Sequence, residues 1–302
     1  MGYAIIFSGQ GMQHPDMVPW LTTDGVMREA CQRLGVANWR DRLTHPEWAA
    51  GNRQAQLLLT GSGVATWEQL SHALPLPDAV AGYSVGELPA FFAAGVIDAT
   101  TALDLAECRS AAMDHCAAAM PGGLVGVTGL VGPQIQALVD RLGLAVAIDN
   151  GPDSVVLGGP NNALAGVDSA VTALGGRCTR LKISVASHTP WMRDAGTAFA
   201  MALKPLAMQR PRTVLVCNAS AERIRDVAHA KEALAAQIDR TVRWRESMEA
   251  LYARGIRCVL EVGPGNSLAR LWNQKFPDVP ARSVDEFRHA AAIARWVLAH
   301  AG

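Results

Sequence analysis

The hydrophobic pattern changes period several times along the chain. Tyr3–Phe7 is an unbroken apolar, β-prone run, which predicts a strand buried on both faces at the centre of a sheet. It stops at Ser8-Gly9-Gln10-Gly11-Met12-Gln13, a glycine-containing turn. From 16 to 78 the spacing is mainly helical, over Val26–Leu34 and Ala55–Leu74, with Pro- and Gly-containing connections. Trp39, Trp48 and Trp67 in this stretch read as packing residues rather than as a ligand cage. Ala79–Gly82 is a second short apolar strand. Glu87–Ala94 then reads as a helix with Pro89 in its first turn, and Gly95-Val96-Ile97-Asp98 breaks it. A further helix, capped by Asp98 or Thr100, is predicted to reach Ala119.

Between Gly122 and Val185 the elements become shorter. Strands are predicted at 123–128, 145–149, 154–157 and 178–185, and helices at 133–142 and 162–174. The order βαββαβ is that of the ferredoxin-like unit. It reads as a small subdomain, residues 122–186, inserted into a larger domain made of residues 1–121 and 187–302. The larger domain resumes at Ser187-His188-Thr189-Pro190 and continues with a helix to about Leu203. A strand follows at Thr213–Cys217, ending on Asn218, then helices at Lys231–Ile238 and Arg243–Ala253. The strand Cys258–Val262 enters Gly263-Pro264-Gly265-Asn266, and a helix starts near Ser267.

Candidate chemistry gathers where Ala79–Gly82 meets the next helix. Gly82-Tyr83-Ser84-Val85-Gly86 is a Gly-x-Ser-x-Gly pattern in a strand–turn–helix setting. Glycines without Cβ atoms let strand and helix close around a strained serine. The helix N-terminus adds unpaired N–H groups and a positive dipole end beside Ser84 Oγ, which suits an oxyanion formed in acyl transfer. Gly, Ser and Ala are common in this chain, so the pattern alone is also compatible with a chance match. The Gly9–Gln13 loop reads either as a plain turn or as a backbone loop presenting an N–H to the same site. A serine nucleophile needs a base. His188 has the best setting of the eight histidines, at a strand end in a short polar turn, and His14 beside the Gly9–Gln13 loop is the rival. Arg109, inside the helix after Asp98, reads by itself as an ordinary solvated arginine.

Composition narrows the classes. With 302 residues, 50% of them hydrophobic, the chain buries a large core in one large domain or two unequal ones. A formal net charge of zero argues against nucleic acid or an anionic membrane as partner. Cys31, Cys108, Cys116, Cys178, Cys217 and Cys258 form no Cys-x-x-Cys, and no histidines make a His-x-x-x-His pair. Buried free thiols are expected, not a metal site or a disulfide framework. The N-terminus has no basic n-region and no apolar run reaches spanning length, so the cytoplasm is the expected compartment.

The ordered set of motifs resembles the malonyl-CoA:acyl-carrier-protein transacylase family and the related acyltransferase domains of polyketide synthases. It comprises Gly9-Gln10-Gly11-Met12-Gln13, Gly82-Tyr83-Ser84-Val85-Gly86-Glu87, Ala94-Gly95-Val96-Ile97-Asp98 and Arg109. It continues through Ser184-Val185-Ala186-Ser187-His188, Gln237, Val242-Arg243-Trp244 and Glu261-Val262-Gly263-Pro264-Gly265, nearly the whole chain. The resemblance implies Ser84 as nucleophile, His188 as its base, and the N–H groups of Gln10 and Val85 as the oxyanion hole. It implies Arg109 as partner of the malonyl carboxylate, with Gln237 lining the site. It also implies that backbone carbonyls orient the histidine, including those around Asn266, without a third acidic residue. Ser8 stands where the family has proline, Tyr83 where histidine is common before the nucleophile, and Thr241 where proline precedes Val-Arg-Trp. Tyr83 bears on acyl selectivity.

The implied fold is α/β, an α/β-hydrolase-like large domain with the ferredoxin-like subdomain over its cleft. The implied reaction is ping-pong transfer of malonyl from malonyl-CoA to the phosphopantetheine thiol of an acyl carrier protein, by a monomer that needs no cofactor. One alternative charges the carrier subunit of a malonate decarboxylase. Another is a serine esterase or thioesterase, against which Arg109 argues. A non-catalytic interaction module is disfavoured by the intact Ser84 and His188.

Overall fold

The computed structural model describes residues 2–302. Its strands are β1 (Tyr3–Phe7), β2 (Ala79–Gly82), β3 (Gly122–Thr128), β4 (Ala145–Gly151), β5 (Ser154–Pro160), β6 (Arg177–Arg180), β7 (Val214–Val216), β8 (Cys258–Val262) and β9 (Ala281–Ser283). Five of them form a parallel sheet in the order β7-β2-β1-β8-β9. The apolar first run of the chain is its central strand.

Strand β1 is buried throughout and serves two cores in alternation. Tyr3, Ile5 and Phe7 face helices Gly25–Leu34, Asn52–Ser71, Glu87–Ala93, Ala99–Ala119, Arg193–Leu203 and Ala290–Ala301. Ala4 and Ile6 face helices Trp244–Tyr252 and Ser267–Lys275 on the other side. There the sheet offers small residues, Ala4, Ala79 and Ala81, and the space is filled by the buried indoles of Trp244 and Trp272. Helix Asn52–Ser71 is buried around most of its circumference, which explains why its periodicity is mixed rather than one-sided. The six cysteines are free, three of them buried and three half-buried rather than all buried.

The remaining strands form an antiparallel sheet in the order β4-β5-β3-β6. One face packs Val125, Val127, Val155 and Leu157 onto helices Gly132–Leu142 and Val167–Ala173. The other turns Leu124, Ile148 and Val156 toward the second core of the parallel sheet. A seam joins β4 to the segment that leads into helix Trp244–Tyr252. Val242 N–H donates to Ala147 O and Asp149 N–H to Val242 O, both at 2.9 Å, and Thr241 Oγ1 donates to Val146 O at 2.7 Å.

The strand predicted over 178–185 is shorter than its alternation suggests. It pairs with β3 only as far as Arg180, and Leu181 N–H makes one last bond to Leu124 O. Beyond that, β3 begins with Gly122 and Gly123, and residues 183–186 pass directly over them. A Cβ on Gly123 would lie 3.0 Å from Ile183 O, and one on Gly122 3.2 Å from Ala186 Cβ. The alternation at Leu181, Ile183 and Val185 therefore reports a chain crossing the sheet end toward His188, not a ladder.

Candidate active site

The elbow follows β2. Tyr83 N–H still pairs with Phe7 O at 2.8 Å, and a 3₁₀ turn over Ser84–Gly86 leads into helix Glu87–Ala93. Both glycines of the pattern are steric requirements. A Cβ on Gly82 would sit 2.0 Å from Gly86 O, and one on Gly86 2.4 Å from Phe7 O. Ser84 is held at φ 57°, a left-handed conformation that costs an ordinary residue about 1–2 kcal/mol.

Ser84 Oγ lies 2.7 Å from His188 Nε2. His188 Nδ1 is bonded to Gln237 O. A carbonyl only accepts, so Nδ1 carries the proton and Nε2 is free to receive the serine hydroxyl. Burial, reinforced by the nearby charge of Arg109, pushes the imidazole pKa down to about 3, so the ring is neutral near pH 7. His188 is itself at φ 62°, with its N–H on Ile238 O at 2.8 Å. His14 lies elsewhere, half-exposed and paired with Asp285 at 2.8 Å.

Gln237 joins three parts of the site. Its carbonyl holds His188, its Nε2 donates to Ser84 O at 3.2 Å, and its Oε1 accepts from Arg109 at 3.0 Å. Arg109 is fully buried, not solvated. Its other terminal nitrogen donates to Gln56 Oε1 at 2.7 Å, and its Nε has no partner among the described residues. Gln56 is set in turn by Asn52 Oδ1 at 2.8 Å, and Asn52 by Asp114 at 2.8 Å. The guanidinium is thus fixed by neutral amides. Glu87, buried in the first helical turn after the elbow, accepts Asn218 N–H at 2.6 Å. Burial pushes its carboxyl up to about 8, against the Asn218 N–H, the charge of Arg109 and the Gln237 amide.

A cavity of about 280 Å³ opens onto Ser84 and His188. Gln10 and Tyr83 are in its wall, with Leu124, Ile148, Val156, Leu181, Ile183 and Leu268 supplying apolar surface. Gly9 packs against the elbow, where a Cβ would be 2.9 Å from Tyr83 O. Val85, the residue after the nucleophile, is buried beside it. Tyr83 spans to the antiparallel sheet, its hydroxyl 3.1 Å from Asn150 Oδ1 and its ring edge-on to Trp244. Asn266 is not brought to His188. Its amide donates to Glu286 at 3.1 Å, and the carbonyl on Nδ1 comes from Gln237. Sequence reasoning missed Gln56 and Asn218, which carry no local motif, and left Glu87 without a role.

Residues 5–297 match the family model described as an acyl transferase domain. The chain is 28% identical over 296 residues to the malonyl CoA-acyl carrier protein transacylase of Salmonella typhimurium, covering 94% of this chain and 96% of that one. It is 33% identical over 212 residues to the enzyme of the same name from Synechocystis sp., 70% of each chain. The chain belongs to the malonyl-CoA:acyl-carrier-protein transacylase family. The transacylase from Xanthomonas oryzae matches it with a TM-score of 0.89 and 28% identity over 100% of both chains. A malonyl-transacylase solved in complex with a type II PKS acyl-carrier protein matches with a TM-score of 0.89 and 26% identity, over 98% of this chain and 99% of that one. Two departures of this chain from the family pattern have structural uses. Ser8 Oγ donates to the buried Glu261 Oε1 at 2.8 Å, a bond proline has no hydroxyl to make. Thr241 supplies the side-chain bond of the seam to β4.

Proposed function

We infer that the protein transfers a malonyl group from CoA to the phosphopantetheine thiol of an acyl carrier protein through a malonyl-Ser84 ester. The observation that carries this reading is Arg109, a buried cation beside the Ser84–His188 pair whose hydrogen-bond partners are neutral amides alone and whose Nε has none among the described residues. An unpaired buried charge is costly, and a carboxylate on the substrate completes it through parallel charge-assisted hydrogen bonds. An ester hydrolase acting on neutral acyl groups has no use for such a group.

His188 Nε2 takes the proton of Ser84 Oγ, which attacks the thioester carbonyl. The N–H groups of Gln10 and Val85 receive the oxyanion. His188 returns the proton to the CoA thiolate, and the carrier thiol then repeats the sequence on the malonyl ester. Gln237 keeps the imidazole in the working tautomer and Tyr83 bounds the acyl pocket. Asn266, on the rim segment after Gly265, has no part in orienting His188. The fold behind this reading is an α/β-hydrolase-like catalytic domain, residues 1–121 and 187–302. A ferredoxin-like subdomain, residues 122–186, covers its cleft, and the antiparallel order β4-β5-β3-β6 supports it. The protein works as a monomer in the cytoplasm, without nucleic acid or membrane.

Intact mass after incubation with malonyl-CoA tests the reading. One malonyl adduct is expected on wild type and none on Ser84→Ala. Arg109→Ala should fold, lose most malonyl transfer, and shift the kcat/KM ratio of malonyl-CoA over acetyl-CoA toward acetyl by on the order of a hundredfold. An adduct on a cysteine, or an unchanged ratio in folded Arg109→Ala, would contradict it.

A further inference from the structure

The reactive geometry at Ser84 depends on two peptide planes. The Tyr83–Ser84 plane sets where Ser84 sits in its left-handed conformation, and the Ser84–Val85 plane sets where Val85 N–H points. Each plane is held by a side-chain amide from a different part of the chain. Gln237 Nε2 takes Ser84 O, and with it the second plane. Asn218 takes the first. Its Oδ1 accepts Ser84 N–H at 2.8 Å, and its Nδ2 donates back across the corner to Gly82 O. Ser84 N only donates and Gly82 O only accepts, so the orientation of the Asn218 amide is dictated by its partners.

Asn218 is anchored as firmly as what it holds. It is fully buried and follows β7, which pairs Val216 with Ala81 of the neighbouring β2. Its N–H donates to Glu87 Oε1 at 2.6 Å, and its C=O accepts Arg243 N–H at 2.9 Å. Along the chain Gly82 ends the strand before the nucleophile and Glu87 begins the helix after it. One asparagine therefore bonds the strand before the nucleophile, the nucleophile itself, and the helix after it. All four of its polar groups are engaged.

We propose that Asn218 is a positioning residue for acyl transfer, fixing the Tyr83–Ser84 peptide so that Ser84 Oγ meets His188 Nε2, while the Ser84–Val85 peptide is left to Gln237. It touches neither thioester nor acyl group. The proposal rests on the acyl-serine reading of Ser84. A merely structural asparagine would lower the melting temperature and leave the rate per folded molecule unchanged. A positioning asparagine lowers the rate of the chemical step while substrate affinity stays, since a displaced nucleophile loses alignment rather than binding.

The test uses the full chain as wild type, Asn218→Ala and the isosteric Asn218→Asp, each checked by circular dichroism. Two reactions are followed by intact mass. One is single-turnover malonylation against malonyl-CoA concentration. The other is phosphonylation of Ser84 by a fluorophosphonate, in which the Oγ–P bond forms, the P–F bond breaks with loss of fluoride, and the hydroxyl proton passes to His188. Asn218→Ala should lower the saturating malonylation rate about a hundredfold, with the half-saturating concentration moved by less than about threefold, and slow phosphonylation in parallel. Asn218→Asp keeps the acceptor for Ser84 N–H, loses the donor to Gly82 O, and should fall between. Folded Asn218→Ala reacting within about threefold of wild type in both assays overturns the proposal. If the alanine variant does not fold, the aspartate variant decides, and a wild-type rate there overturns it equally. If malonyl-CoA fails to label wild type, the malonyl reading falls, while the phosphonylation ratios still decide for or against Asn218.

Discussion

Taking an imidazole out of water penalises its charged form, and for His188 that penalty keeps Nε2 unprotonated well into the acid range. Its pKa lies near 3 in the folded protein and at about 6.5 when exposed. Between those values the unfolded chain binds a proton that the native protein excludes, so stability rises with pH there. The contribution of His188 is fully present above pH 6.5 and is lost as the pH falls toward 3. Acid unfolding followed by urea midpoint should therefore be shallower in His188→Gln than in wild type across that window. The acid limb of kcat/KM for acylation should also lie below pH 6, where an ordinary histidine is already largely protonated. A carboxylate bound at Arg109 offsets the charge that helps to depress His188, so the acid limb of kcat should sit higher than that of kcat/KM. An acid limb for kcat/KM centred at 6.5 would mean that His188 titrates as if exposed.

At the scale of elements, the elbow is closed by backbone against backbone. Gly86→Ala drives a methyl into Phe7 O, with Ser8 O at 2.9 Å behind it, and neither carbonyl is the far end of a flexible side chain. The expected loss is about 3 kcal/mol or more, read as a lower denaturant midpoint at unchanged m-value. A loss under about 0.5 kcal/mol would mean that the turn relaxes freely. This element was legible in the sequence because its cause is local: two glycines, an apolar strand and a helix start. The same holds for the helix after the break, where Asp98 Oδ1 caps Thr101 N–H at 2.7 Å, and for the βαββαβ order. Arg109 was legible only through resemblance, since its burial depends on Gln56 and Gln237, 53 and 128 residues away in the chain. Asn218 reaches Ser84 across 134 residues, and no spacing rule marks such a pair. The length of β6 was misjudged for the same reason, because what ends it is the chain lying over Gly122 and Gly123.

At the scale of the whole molecule, Arg177, Arg180 and Lys182 stand exposed near the end of the antiparallel sheet, none in an ion pair among the described residues, while the intervening Leu181 reaches the cavity wall. Their charge suits the steering of an acidic carrier, the acceptor in the proposed function. Transfer to the carrier should slow on the order of tenfold between low and high salt, and Arg180→Glu with Lys182→Glu should raise KM for the carrier while acylation by malonyl-CoA is unchanged. A carrier step indifferent to both would assign docking to apolar contacts. The central position of β1 has a different consequence. Tyr3 pairs with Cys258, a separation of 255 residues (258 − 3), and Phe7 with Val262. During synthesis β1 can pair with β2 early, yet its other edge stays open until β8 emerges. At roughly 5–20 residues per second this lasts on the order of ten to fifty seconds. Through that interval the central strand of the parallel sheet is a one-sided template. The burden on chaperones at the ribosome is therefore set by how far apart in the chain the two halves of the sheet were written.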